Sequence, residues 1–128
     1  MNILYVDDDE EDRQFFREAL HSIDPAIHCS TAANGLEALE KLRRDELPDC
    51  IFLDVRMHLM DGKTCLREIK KDSRLRHIPV IMTSIALDRN MLDEYFALGV
   101  SHFFIKPNNF PALRNAIVVA LEHLEQNL

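Results

Sequence analysis

The sequence predicts one α/β domain, a doubly wound three-layer arrangement in which five parallel strands lie between two layers formed by five helices. Short β-branched apolar runs alternate five times with longer amphipathic runs, the pattern of a parallel sheet with crossover helices. The run Cys50-Ile51-Phe52-Leu53 is continuously apolar, as a strand buried on both faces requires. A length of 128 residues, 47% of them hydrophobic, supplies one continuous core and leaves no room for a second domain, so the expectation is a single domain over 1–128.

Residues 3–6 read as the first strand. Residues 10–22 read as the first helix, because Phe15, Phe16, Ala19, Leu20 and Ile23 recur at helical spacing and the acidic residues at its start suit the helix dipole. Pro25 ends it. Residues 27–32 give the second strand, and Asn34-Gly35 opens a second helix carrying Leu36, Leu39 and Leu42, with Pro48 at its exit. The third strand starts at Cys50 and ends at Asp54, and Gly62 opens the third helix through Leu66 and Ile69. Residues 79–82 form the fourth strand and 88–98 the fourth helix, stopped by Gly99. Residues 102–105 form the fifth strand, where Phe103 and Phe104 point to opposite faces. Residues 111–126 form the fifth helix, with Leu113, Ile117, Leu121 and Leu124 as its stripe. Val118 and Val119 widen that stripe, either as core contact or as a partner or dimer surface.

Composition narrows the function. A formal charge of -7, from 22 acidic and 15 basic side chains, argues against binding a nucleic-acid backbone. Cys29, Cys50 and Cys65 lack C-x-x-C spacing and are odd in number, which reads as reduced thiols in a cytoplasmic protein. No apolar run approaches the roughly 20 residues that span a bilayer. The six histidines lack metal-ligand spacing.

Ligands of an open parallel sheet bind beyond the carboxyl ends of its strands, where the strand order reverses. Asp7 and Asp8, Asp54, Ser84 and Lys106 end the first, third, fourth and fifth strands. A flavodoxin-like order 2-1-3-4-5 would bring the three carboxylates together. Two carboxylates about 4 Å apart repel by about 4 kcal/mol at an effective dielectric of 20, so a cation is expected among them. Oxygen ligands suit Mg²⁺, and Lys106 adds a second positive charge. A carboxylate so placed can attack phosphorus, which makes Asp54 a candidate nucleophile and Ser84 a hydroxyl able to sense a phosphoryl oxygen. Blander readings stand beside these. The acidic run from Asp7 to Asp12 also suits a plain helix start, Asp54 a structural turn, Lys106 an exposed strand end, and Ser84 a strand-to-loop hydroxyl.

The stretches Ile3-Leu4-Tyr5-Val6-Asp7-Asp8-Asp9, Leu53-Asp54-Val55-Arg56-Met57-His58-Leu59-Met60-Asp61-Gly62, Ile78-Pro79-Val80-Ile81-Met82-Thr83-Ser84 and Phe103-Phe104-Ile105-Lys106-Pro107 occur in that order. Together they resemble the receiver domain of two-component response regulators over essentially the whole chain. The resemblance implies that Asp54 accepts a phosphoryl group from a histidine kinase or phosphotransfer protein. It implies Mg²⁺ held by Asp7, Asp8, Asp54 and the Arg56 carbonyl, with Lys106 contacting the phosphoryl group. Ser84, rather than Thr83, takes the place of the switch hydroxyl, and Phe103 that of the switch aromatic. It further implies a cis Lys106–Pro107 peptide, no attached output domain, and signalling to a downstream protein or a second copy through the fourth helix, fifth strand and fifth helix. Two departures stand out. His58 replaces a customary proline and is expected to loosen the loop, and Ile85 replaces a small residue and is expected to obstruct the phosphoryl group. Two rivals remain: a phosphohydrolase with an aspartate nucleophile, which would lack a general acid at Arg56, and a phosphate-independent interaction module.

Overall fold

Alternation along each strand decides which helices cover which face. The structure, a computed structural model, describes residues 1–126. It runs β1 (Asn2–Val6), α1 (Glu10–Ile23), β2 (His28–Ala32), α2 (Gly35–Arg44), β3 (Cys50–Asp54), α3 (Gly62–Lys71), β4 (Val80–Ser84), α4 (Arg89–Ala97), β5 (His102–Ile105) and α5 (Phe110–Gln126). All strand pairs are parallel and their order is β2-β1-β3-β4-β5. Each predicted element is present, with ends moved by one or two residues.

Successive side chains of a strand point to opposite faces, so each strand serves two cores. On one face Leu4, Val6, Ile51, Leu53, Val80, Met82 and Phe103 pack with residues of α2, α3 and α4. On the other, Ile3, Tyr5, Cys50, Phe52 and Ile81 pack with Phe16, Ala19 and Leu20 of α1 and Leu113, Ile117 and Ala120 of α5. Phe103 is buried in the first core, while Phe104 lies against the second and is half-buried, as their alternation predicts. Leu36 departs from its expected place and is exposed, while Ala38, Leu39 and Leu42 are buried. At about 3.6 residues per turn, a three-residue spacing drifts roughly 60° per step, which carries Leu36 off the face the other three share.

Helix starts are capped as the sequence allows: Asp9 accepts from the N–H groups of Glu11 and Asp12, Asn34 from Glu37, Asp61 from Thr64 and Asp88 from Met91. Gly99 closes α4 with a φ of 99°, a left-handed conformation that favours glycine. The Lys106–Pro107 peptide is trans, contrary to the cis expectation; no cis peptide occurs among the described residues. Trans is the lower-energy isomer even before proline, by roughly 0.5–1 kcal/mol.

Gly62 lets α3 start directly under β3. Its N–H donates to the Val55 carbonyl at 2.9 Å, and a Cβ there would overlap the backbone carbonyl oxygen of Asp54. Gly62→Ala is therefore expected to destabilise the fold by about 1–3 kcal/mol, the usual range for overpacking. Urea denaturation checks this, and an unchanged midpoint would show that the loop yields without strain.

Candidate acidic phosphoacceptor pocket

The chain leaves β1 at Val6, and Asp7 follows with its backbone N–H bonded to the Ala32 carbonyl at 3.1 Å. Asp7 is 0% exposed. Its Oδ1 accepts the Asp9 N–H at 3.0 Å, its Oδ2 accepts the Tyr5 hydroxyl at 2.6 Å, and Arg13 Nη1 donates to its backbone carbonyl at 2.8 Å. β3 pairs with β1 and brings Asp54 alongside. Asp7, Asp8 and Asp54 each offer a carboxylate oxygen, and those oxygens lie within 4.8 Å of one another.

Lys106, just past β5, reaches over this cluster. Its Nζ lies 2.6 Å from Asp7 Oδ2, 3.1 Å from Asp54 Oδ2 and 3.2 Å from Asp12 Oδ2. Burial works against the ammonium, yet the hydrogen bond to Asp7 and the charges of Asp54 and Asp7 outweigh it and hold Lys106 above the usual lysine range. Asp54, 6% exposed, is pushed up to about 6, chiefly by burial; Lys106 pulls it down and the Asp7 charge pushes it up. Burial first, and Asp7 second, keep Tyr5 above the ordinary phenol range, so it is a neutral donor. A set of anionic oxygens this close fits a hard divalent cation such as Mg²⁺ and would repel itself without positive charge.

The loop after β3 carries Arg56, which is exposed two residues beyond Asp54. At His58 the backbone N–H, which a proline would lack, donates to Asp8 Oδ2 at 3.2 Å, and Nε2 lies 3.6 Å from the same oxygen. Leu59 follows with a φ of 67°, unusual for a residue with a side chain. Ser84 ends β4, 3% exposed, and its Oγ accepts the Ala86 N–H at 3.3 Å. Thr83, the register partner of Asp54, is also buried, and its hydroxyl has no partner among the described residues. Ile85 is 69% exposed. Phe103 lies on the opposite side of β5 from Phe104, edge-on to Tyr95 of α4 with ring centroids 5.6 Å apart.

Residues 3–118 match the response regulator receiver domain. The chain belongs to this family. As a receiver it is 39% identical over 105 residues to the response regulator PleD of Caulobacter vibrioides, which covers 82% of this chain and 22% of PleD. It is 29% identical over 124 residues to the chemotaxis protein CheY-3 of Vibrio cholerae, covering 97% of this chain and 94% of CheY-3. Among solved structures, the phosphorylated cyanobacterial phytochrome response regulator RcpA superposes with a TM-score of 0.83 at 29% identity, over 91% of this chain and 87% of that one. The chain spans only 13% of the sensor histidine kinase CheAY of Helicobacter pylori and 50% of the response regulator DctR of Bacillus subtilis. Receivers are signalling domains that act with histidine kinases or phosphotransfer proteins, and they bind Mg²⁺ at an acidic pocket. No helix among the described residues is long and apolar enough to cross a membrane.

Two residues outside the expected set also line this pocket. Asp12 lies in the dipole-favoured start of α1 and contacts Lys106. Tyr5 bonds to Asp7, and its two-residue spacing from Asp7, which puts both on one face of the sheet, is the signal in the sequence that pairs them.

Proposed function

We propose that this receiver is a phosphorylation switch in which Asp54 takes a phosphoryl group from a histidine kinase or phosphotransfer protein. The observation that carries the reading is the convergence of Asp7, Asp8 and Asp54 on one pocket whose far side is closed by Lys106. A carboxylate oxygen of Asp54 attacks phosphorus, an O–P bond forms, and the donor's bond to phosphorus breaks with its electron pair leaving on the donor. Mg²⁺, held by Asp7, Asp8 and Asp54 with the Arg56 carbonyl, would neutralise charge on the transferred oxygens. Lys106 turns its ammonium to the same oxygens, and Ser84 donates its hydroxyl to one of them.

Readout runs through the second half of the fold. Tyr95 is the buried residue of α4 and rests on Phe103, so an inward shift of Ser84 that repositions Phe103 also disturbs the seat of α4. Phe96 of α4, Ile105 of β5 and Val119 of α5 are large exposed apolar side chains, which suits a protein partner or a second copy on that face. Three free thiols, two of them buried, fit the reducing cytoplasm.

Incubation with Mg²⁺ and a small acyl-phosphate donor tests this. Intact mass should rise by one phosphoryl group, and chelation of the metal should suppress the gain. A protein that stays unmodified under saturating donor and Mg²⁺ would overturn the proposal.

A further inference from the structure

Asp7 has two close donors on the same oxygen. Lys106 Nζ and the Tyr5 hydroxyl both lie 2.6 Å from Asp7 Oδ2. Only one of them is free to leave. Lys106 is shared with Asp54 and Asp12 on a flexible stem, whereas Tyr5 is a buried strand residue whose ring is stacked on Phe16, centroids 3.9 Å apart and planes within 5°.

The three carboxylates that Lys106 contacts differ in what they lose when it moves. Asp54 would carry the phosphoryl group itself, and Asp12, 44% exposed along its side chain, is open to solvent. Asp7 is wholly buried, and even with Mg²⁺ on its carboxylate the departure of Lys106 would leave Oδ2 with Tyr5 as its side-chain hydrogen-bond donor among the described residues; a buried anion short of donors is strongly disfavoured. Tyr5 is the group that meets this need.

Resting on the phosphorylation reading above, we propose that Tyr5 is a positioning residue that keeps the Asp7 carboxylate satisfied and correctly turned while Lys106 swings to the phosphoryl group. Tyr5 thus favours the phosphorylated arrangement through Asp7, without touching phosphate or donor. In the resting arrangement its contribution is smaller, because Lys106 still serves the same oxygen.

The test is Tyr5→Phe, which keeps the stacked ring and deletes only the hydroxyl, with thermal melting to confirm that the variant folds. Two affinities are measured for wild type and variant: Mg²⁺ alone by calorimetry, and beryllium trifluoride, a phosphoryl mimic, in saturating Mg²⁺ by fluorine NMR. Mimic affinity should fall by roughly tenfold, the lower end for loss of a hydrogen bond to a ligating group, while Mg²⁺ affinity falls much less. Equal mimic affinity in the two proteins would overturn the role of Tyr5, and so would a parallel loss in both affinities, which a packing defect produces. A wild type that binds neither probe would sink the phosphorylation reading itself, a result distinct from either of those.

Discussion

Asp54→Asn is expected to abolish phosphorylation and, in metal-free buffer, to make the protein more stable. The first effect follows from the loss of the carboxylate proposed to attack phosphorus, and intact mass after acyl-phosphate treatment measures it directly. The second follows chiefly from burial, with the neighbouring carboxylates adding to it. Asp54 is buried beside Asp7 and Asp8, and its acidity is weakened from an ordinary 3.8 to about 6. A carboxyl that protonates more readily when folded stabilises the fold most below pH 3.8, and that stability is lost as pH rises toward 6. Asparagine escapes the loss. The difference in stability between variant and wild type should therefore open between about pH 4 and 6 and stay level above, at on the order of 3 kcal/mol. Melting curves across that range in chelator check the slope. A difference that did not change with pH would show that Asp54 is no more strained than a surface carboxylate.

Lys106→Met should act in the opposite direction. Methionine keeps an apolar stem of similar reach and removes the ammonium that lies within 3.2 Å of Asp7, Asp54 and Asp12. Asp7 retains donors in Tyr5 and the Asp9 N–H, and Arg13 reaches only its backbone carbonyl, so among the described residues no other side-chain cation meets the Asp7 carboxylate. Breaking a buried pair by removing one partner is destabilising by about 3–5 kcal/mol, because the remaining charge stays out of water. Chemical denaturation without metal should register that loss. Mg²⁺ should then stabilise the variant more than the wild type, since it supplies the missing positive charge and binds the folded state alone. Equal melting of the two proteins in chelator would mean that the Lys106 contacts contribute nothing. Combining Lys106→Met with Asp54→Asn should recover part of the loss, because the two residues share one interaction and their effects cannot add.

At His58 the backbone N–H that comes with a histidine in place of a proline meets Asp8, a contact that residue type alone does not disclose. Leu36 misleads, since a three-residue recurrence looks helical over two repeats and leaves the buried face by the third. The trans Lys106–Pro107 peptide could not be read from residue identity, because either isomer is open to a proline and its surroundings decide.

The order of strands and helices, the two-faced burial of β3 and the presence of acids, hydroxyl and lysine at strand ends were determined by sequence alone, because periodicity and strand direction are local properties of the chain. Which oxygen meets which donor was decided only in three dimensions. Asp12 beside Lys106 and the His58 N–H on Asp8 arise where separate segments converge, and an angstrom of approach decides whether a buried charge is satisfied.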